Sequence, residues 1–436
     1  MSAQGTVIGA GLAGVEAAWR LAENGVQVTL CEMRPQKSTP AHQTAEFAEL
    51  ICSNSLKAER LNSAAGLLKA EMRELGSLTV ETAYRTRVPA GGALAVDRNL
   101  FSAEITKKIL AHPNITVRYG EVTALPDGVC IVAAGPLMSD ALAQSVQQLF
   151  GQDYLNFFDA AAPIVTADSI DREHCFAASR YDRGGEDDYL NCPMNKEQYE
   201  AFHAALVSAE RAPVHGVDEQ LPKTVYEGCM PVEIMASRGA DTLRFGPLKP
   251  VGLRDPKTGH RPWAVVQLRK ENAEGTLYNL VGFQTNLKFG EQQRVFSMIP
   301  ALKNAVFSRY GVMHRNTFLC SPKVLTRHLN AVCRPDLFFA GQMTGVEGYM
   351  ESAASGIVAA ENALRYLQGR APLELPATTM LGALTNYLQE GSCVDFQPMG
   401  ANFGILPALE TPIRDKQQRY QALAERAMAD LKIALS

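Results

Sequence analysis

The sequence predicts an α/β protein: a doubly wound, Rossmann-like nucleotide-binding sheet with an inserted α+β domain. Three observations predict it. A strand–glycine turn–helix–strand unit opens the chain, a second strand–glycine turn–helix unit returns near residue 336, and the stretch between them has a different texture. The opening unit is TVIGAGLAGVEAAWRLAENGVQVTLCE at 6–32. Thr6–Ile8 is a short apolar run that breaks into Gly9, Gly11 and Gly14. A helical pattern follows through Leu12, Val15, Ala18 and Leu21, and a second apolar run ends at Glu32. Gly9 allows the tight turn, Gly11 lets backbone approach a pyrophosphate, and Gly14 lets the helix pack close to the sheet. The helix N-terminus, Gly9 to Gly14 with Ala10, Leu12 and Ala13 between, offers N–H groups to phosphates. Glu32, about twenty residues on, can accept hydrogen bonds from a ribose diol.

Further along, a helix is predicted over Arg98–Leu110, a strand over Thr116–Tyr119, and an apolar strand in GVCIVAAGP that stops at Gly135-Pro136. From 166 to 324 short alternating runs, many Pro and Gly, and charged turns predict the inserted domain. The expected division is therefore 1–165, 166–324 and 325–436. The return begins with a buried strand at Asp336–Ala340, turns at Gly341-Gln342-Met-Thr-Gly345 and enters an Ala/Gly-rich helix from Ser352 to Leu367, with a last helix at 413–434. A late helix N-terminus aimed at the cofactor can stabilise negative charge on a reduced flavin. With the strand ending at Gly135, it favours FAD over a nicotinamide as the tightly held group. The full fold prediction is an FAD-binding Rossmann-like doubly wound domain carrying an α+β insertion.

Composition narrows the class further. With 46% hydrophobic and 20% charged residues the chain reads as an ordinary globular protein, and no stretch is apolar enough for a membrane span. The nine cysteines include no CxxC pair, so neither a metal centre nor a disulfide framework is expected, and the compartment reads as reducing and cytoplasmic. A net charge of −4 argues against a globally basic RNA-binding surface. The distribution is uneven, however: no acid occurs from 292 to 335, while Arg294, Lys303, Arg309, Arg315, Lys323, Arg327 and Arg334 all fall there. That run and the region 238–270 are candidates for a surface facing an anionic partner. Arg85, Arg87 and Arg98 form a third basic group.

Two cysteines stand apart. Cys31 and Cys130 sit in apolar strands and read as core. Cys52 lies in AELICSNSLK, where Ser53, Asn54 and Ser55 could cap a helix starting at Leu56. Cys229 lies in YEGCMPVE, on a bend between Gly228 and Pro231. A polar turn with cations nearby favours a thiolate.

These residues, with VPAGGALAVDR at 88–98, NCPMNKEQY at 191–199, FGPLKPVGL at 245–253, YGVMHRNTF at 310–318 and GQMTGVEGYMESAASG at 341–356, resemble the folate- and FAD-dependent tRNA uracil-5 methyltransferases of bacteria over nearly the whole chain. The resemblance implies an enzyme that moves a one-carbon unit from methylenetetrahydrofolate, by way of reduced FAD, to carbon 5 of a T-loop uridine in tRNA, with NAD(P)H as reductant. It implies Cys52 and Cys229 as the catalytic pair; we assign Cys229 as nucleophile and Cys52 as base or second thiol, with the reverse order as the alternative. It also implies that the glycine turn (Gly9, Ala10, Gly11, Leu12, Ala13, Gly14), Glu32, Gly135, Gly341, Gln342 and Gly345 bind the cofactor. The chain departs from the family pattern at Asn286, where His is expected, at Phe289, where Trp is expected, and at Gly400, where Asn is expected, all close to the expected folate site. Competing readings are the same chemistry on a ribosomal RNA uridine, a small-molecule FAD oxidoreductase, and a non-catalytic FAD-stabilised RNA-binding protein.

Overall fold

The computed structural model describes residues 3–39, 41–151, 155–182, 185, 188–212, 230–391 and 396–436. Its main sheet has six strands in the order Asn330–Ala331, Arg334–Phe339, Cys130–Val132, Gln4–Ile8, Gln27–Glu32, Ile115–Tyr119. All neighbours are parallel except the first pair, which is a short antiparallel hairpin. Val7, Leu30 and Ile131 are fully buried, as strands covered on both faces require. The opening strand is central, so its C-terminal end meets two diverging crossovers, the place where doubly wound sheets hold ligands.

Two helices set the floor of that site. The first, Leu12–Glu23, and the late helix, Tyr349–Leu367, cross at Ala13 and Gly356. A Cβ on Gly356 would meet the Ala13 carbonyl oxygen at 2.2 Å, so only glycine permits the approach. Gly14 does the same one turn earlier, where a Cβ would lie 1.7 Å from the Gly9 oxygen. The late helix starts three residues before the expected Ser352. Gly348, at φ +122°, ends the preceding turn, and Tyr349, Met350 and Glu351 form the first helical turn.

A second six-stranded sheet is antiparallel throughout and runs Phe176–Ala177, Tyr189–Met194, Ala264–Lys270, Leu277–Leu280, Ile164–Thr166, Phe307–Arg309. Helices Lys196–Ser208 and Phe289–Phe296 belong to the same core, where Phe202, Val266, Leu268, Phe283 and Phe296 are fully buried. This is the α+β insertion. Its chain leaves and re-enters through a two-stranded antiparallel ribbon, Leu155–Ala160 against Met313–Phe318. A small three-stranded sheet, Ser55–Ala58, Ala93–Val96 and Arg87–Val88, lies beside the Cys52 loop. Among the described residues no helix is long and apolar enough to cross a membrane.

Candidate active site

A cleft of about 440 Å³ opens at the C-terminal ends of the central strands, a size suited to an organic ligand. Its floor is Gly9, Gly11, Leu12 and Ala13, its flank is Glu32 and Gly135, and its far wall is Gly341, Gln342 and Gly348–Ser352. Gly9 adopts φ +98°, and a Cβ on Gly11 would meet nothing within 4 Å, so the turn presents bare backbone to the cleft. Neither helix N-terminus is closed by a side-chain cap: Gly11 and Gly348 are the N-caps, and both aim their free N–H groups at this space. Three expected ligand residues lie behind the lining instead. Ala10 is fully buried and gives its N–H to Glu32 Oε2 at 2.9 Å. Gly14 serves the helix–turn contact, and Gly345, at φ +91°, packs on the Phe396 ring.

Glu32 is held by Arg34, whose backbone N–H and Nε reach Oε1 at 2.9 and 3.1 Å. Burial alone would raise this carboxyl, but the hydrogen bonds and charge of Arg34 outweigh it and hold the group below the usual carboxylate range. Arg34 continues to Glu49 Oε2 at 3.2 Å, which anchors the chain just before Cys52.

Cys52 lines the same cleft. The expected helix after it does not form. Ser55–Ala58 is a strand paired with Ala93–Val96, and the next helix begins at Ala64, capped by Ser63. The loop's polar residues are used in tertiary contacts: Asn54 Nδ2 donates to the Val96 and Lys270 carbonyls, and Asn54 Oδ1 and Ser53 Oγ accept from Arg269 at 2.9 Å each. Tyr349, the first residue of the late helix, closes the loop. Its hydroxyl oxygen accepts the N–H groups of Cys52 and Ser53 at 2.7 and 3.2 Å, and Cys52 Sγ lies 3.0 Å away. With both acceptor positions taken, the phenol proton is left to point at the sulfur. Burial pushes the Tyr349 phenol well above its ordinary range, so it stays protonated. By contrast Cys31 and Cys130 are core, and burial pushes Cys130 up to about 12. Cys229 lies outside the described residues.

Across the cleft, Lys57 Nζ meets Glu351 Oε1 at 2.9 Å. Glu351 is 1% exposed, and its Oε2 has no hydrogen-bond partner among the described residues. Tyr349, Arg34 and the Lys57–Glu351 pair were not singled out from sequence, although each lies in or beside a quoted string. Arg98 is corrected: it is buried, gives Nε to Glu271 Oε1 at 2.6 Å and Nη1 to the Leu50 and Ile51 carbonyls, and faces no solvent partner. Arg85 and Arg87 pair with Glu81 and Glu59. The acid-free run is not acid-free in space either, since Arg294, Arg327 and Arg334 meet Glu291, Glu374 and Asp336.

The departures from the family pattern take definite places. Asn286 is buried and donates Nδ2 to the Ala212 carbonyl at 3.0 Å, and Gln284, not Asn286, lines the cleft. Phe289 is 54% exposed and stacks on Tyr310 at 4.8 Å. Gly400 precedes Ala401, whose N–H reaches Glu351 Oε1 at 3.0 Å.

A doubly wound sheet, an uncapped glycine turn, an acid after the second strand and a second helix N-terminus facing the first define a dinucleotide-binding protein of the flavoprotein class. A family model described as Glucose inhibited division protein A matches residues 4–371. A Lactiplantibacillus plantarum protein named methylenetetrahydrofolate–tRNA-(uracil-5-)-methyltransferase TrmFO is 60% identical over 425 residues, covering 98% of this chain and 96% of that one. A Listeria monocytogenes protein of the same name is 57% identical over 426 residues, covering 98% and 97%. The solved structure of Aquifex aeolicus GidA in its form I crystal shares the fold, with a TM-score of 0.72 and 17% identity over 100% of this chain and 76% of that one. The chain belongs to the glucose inhibited division protein A family and, within it, to the TrmFO methyltransferases.

Proposed function

We propose that this protein uses methylenetetrahydrofolate, a resident FAD and NAD(P)H to methylate carbon 5 of a T-loop uridine in tRNA. The observation that carries the reading is that Cys52, locked to Tyr349, lines the same cleft as the dinucleotide turn. Near-full-length relatives bearing the methyltransferase name support it.

The cleft fits FAD. The bare Gly9–Gly11 backbone and the N-terminus of Leu12–Glu23 would hold the pyrophosphate, and Glu32 would meet the ribose. The N-terminus at Gly348 and Glu351 Oε2 would meet polar groups at the ring end. When bound, FAD supplies the one-carbon carrier and the hydride chemistry. The protein's own part is covalent and acid–base. Uracil is inert at carbon 5 until a thiolate adds to carbon 6, which pushes electron density to carbon 5. Cys229 is assigned that addition. Cys52 then takes the carbon 5 proton once the new carbon–carbon bond has formed, and breaking the Cys229–carbon 6 bond restores the ring. The Tyr349 hydroxyl holds Cys52 Sγ in place for that transfer.

The test is mass spectrometry of T-loop fragments after incubating FAD-loaded protein with a tRNA transcript, methylenetetrahydrofolate and NADPH. A mass gain of one methyl at a single uridine is expected. Cys52→Ala is expected to keep its flavin spectrum and give no product, and full methylation by this variant would remove Cys52 from the chemistry.

A further inference from the structure

We propose that Arg309 is a positioning residue for Cys52, supplying from the inserted domain a positive charge that favours the thiolate. The proposal rests on the reading of Cys52 as a working thiol. Its basis is a buried charge imbalance at the seam between the two domains. One cross-strand row of the second sheet contains Arg269, Asn279, Ile164 and Arg309, each opposite the next, so their side chains share a face. That face meets the Cys52 loop, because Arg269 binds Ser53 and Asn54. From the other domain Arg98 holds the two carbonyls immediately before Cys52. Two guanidinium groups therefore bind this loop, and a third, Arg309, lies beside them in the same cross-strand row.

Two carboxylates, Glu49 and Glu271, lie within electrostatic reach of Arg309, and each already has another partner. Glu271 pairs with Arg98, and Glu49 is already engaged by Arg34. Of the other charged groups lining the cleft, Lys57 pairs with Glu351 and Glu32 with Arg34. Several buried polar atoms at this seam have no hydrogen-bond partner among the described residues: Arg98 Nη2, Arg309 Nε, Asn279 Nδ2 and Glu271 Oε2. A surplus of positive charge at such a seam, with Arg98 and Arg269 buried and Arg309 half-buried, is costly unless an anion answers it. Tyr349 lies within electrostatic reach of Arg98 and Arg309 and is kept neutral by burial, so it cannot be that anion. A group that can is Cys52, 3.0 Å from the Tyr349 hydroxyl and within electrostatic reach of Arg98. A thiolate beside cationic groups is the arrangement that makes cysteine reactive.

Arg309 suits a test because, among the described residues, no side-chain hydrogen bond or ion pair ties it to the fold, unlike Arg98 and Arg269. The measurement is the rate of iodoacetamide addition to the Cys52 peptide, read by mass spectrometry from about pH 6 to about pH 10 on the purified full chain. Arg309→Met is expected to raise the pH of half-maximal reactivity and slow alkylation at neutral pH roughly tenfold. Arg309→Lys should restore the wild-type profile, with dinucleotide uptake and melting temperature unchanged in both. If Arg309→Met does not fold, Arg309→Gln is read in the same way. A neutral variant with the wild-type profile overturns the proposal and leaves the methyl-transfer reading untouched. Failure of the wild type to form 5-methyluridine overturns that reading while the alkylation profile still decides this one.

Discussion

Tyr349 fixes the direction of one proton, and much of the site follows from it. Its oxygen satisfies two loop N–H groups, so its hydrogen faces Cys52 Sγ. Tyr349→Phe strands both N–H groups and removes the donor to sulfur. Each buried N–H left unpaired costs about 1–3 kcal/mol. The variant is expected to melt at a lower temperature and to form product about ten- to a hundredfold more slowly, measured by single-turnover methylation and a thermal scan. Glu32 makes a second prediction. Removing it leaves Arg34 with Glu49 alone and strands the buried Ala10 N–H, at a cost of about 1–3 kcal/mol. Glu32→Ala should therefore lose bound flavin, read from absorbance after gel filtration, and lose stability together. The acid itself was legible in sequence, because strand, turn and helix place it about twenty residues from the glycines. Arg34 was not, since its role depends on a fold-back that brings Thr44 and Glu49 to it.

The helices owe their placement to a few small or buried groups. Gly356→Val would force the late helix away from Ala13, an overpacking that costs about 1–3 kcal/mol or more and opens the cleft floor. Weaker FAD retention and a lower melting temperature are expected from that variant. Glu71 governs a different joint. It accepts the N–H groups of Met380 and Leu381 at the start of helix Met380–Glu390, and burial pushes its carboxyl up to about 7. Because the folded value lies above the unfolded one, its contribution is greatest at acid pH and fades as pH rises through about 7, by up to about 3 kcal/mol. Glu71→Gln should flatten the fall in melting temperature between about pH 5 and pH 8, which a scan series would show. Element types read well where periodicity was long, as in helices Leu12–Glu23, Arg98–Ala111 and Lys416–Leu435. The segment after Cys52 was misread because Ser53, Asn54 and Ser55 look like a cap, yet Arg269, Val96 and Lys270 claim the hydrogen bonds of Ser53 and Asn54. No local signal announces partners more than 200 residues away.

At the scale of the whole molecule, the loop bearing Cys52 is stapled to both domains, by Arg98 and Tyr349 on one side and Arg269 and Lys270 on the other. The nucleotide fold and the presence of an insertion could be read from the chain, because glycine spacing and strand texture are local properties. The charge map could not, because Glu291, Glu374 and Asp336 answer three arginines of the acid-free run only once the chain is folded. The ribbon of Leu155–Ala160 and Met313–Phe318 carries one more consequence. Antiparallel partners bring the two crossings of the insertion within about 5 Å of one another. A short glycine bridge could therefore replace everything beyond them without tearing the nucleotide sheet. Such a trimmed protein should still turn yellow with FAD, while its sulfur, deprived of Arg269 and Arg309, would behave as a common surface thiol.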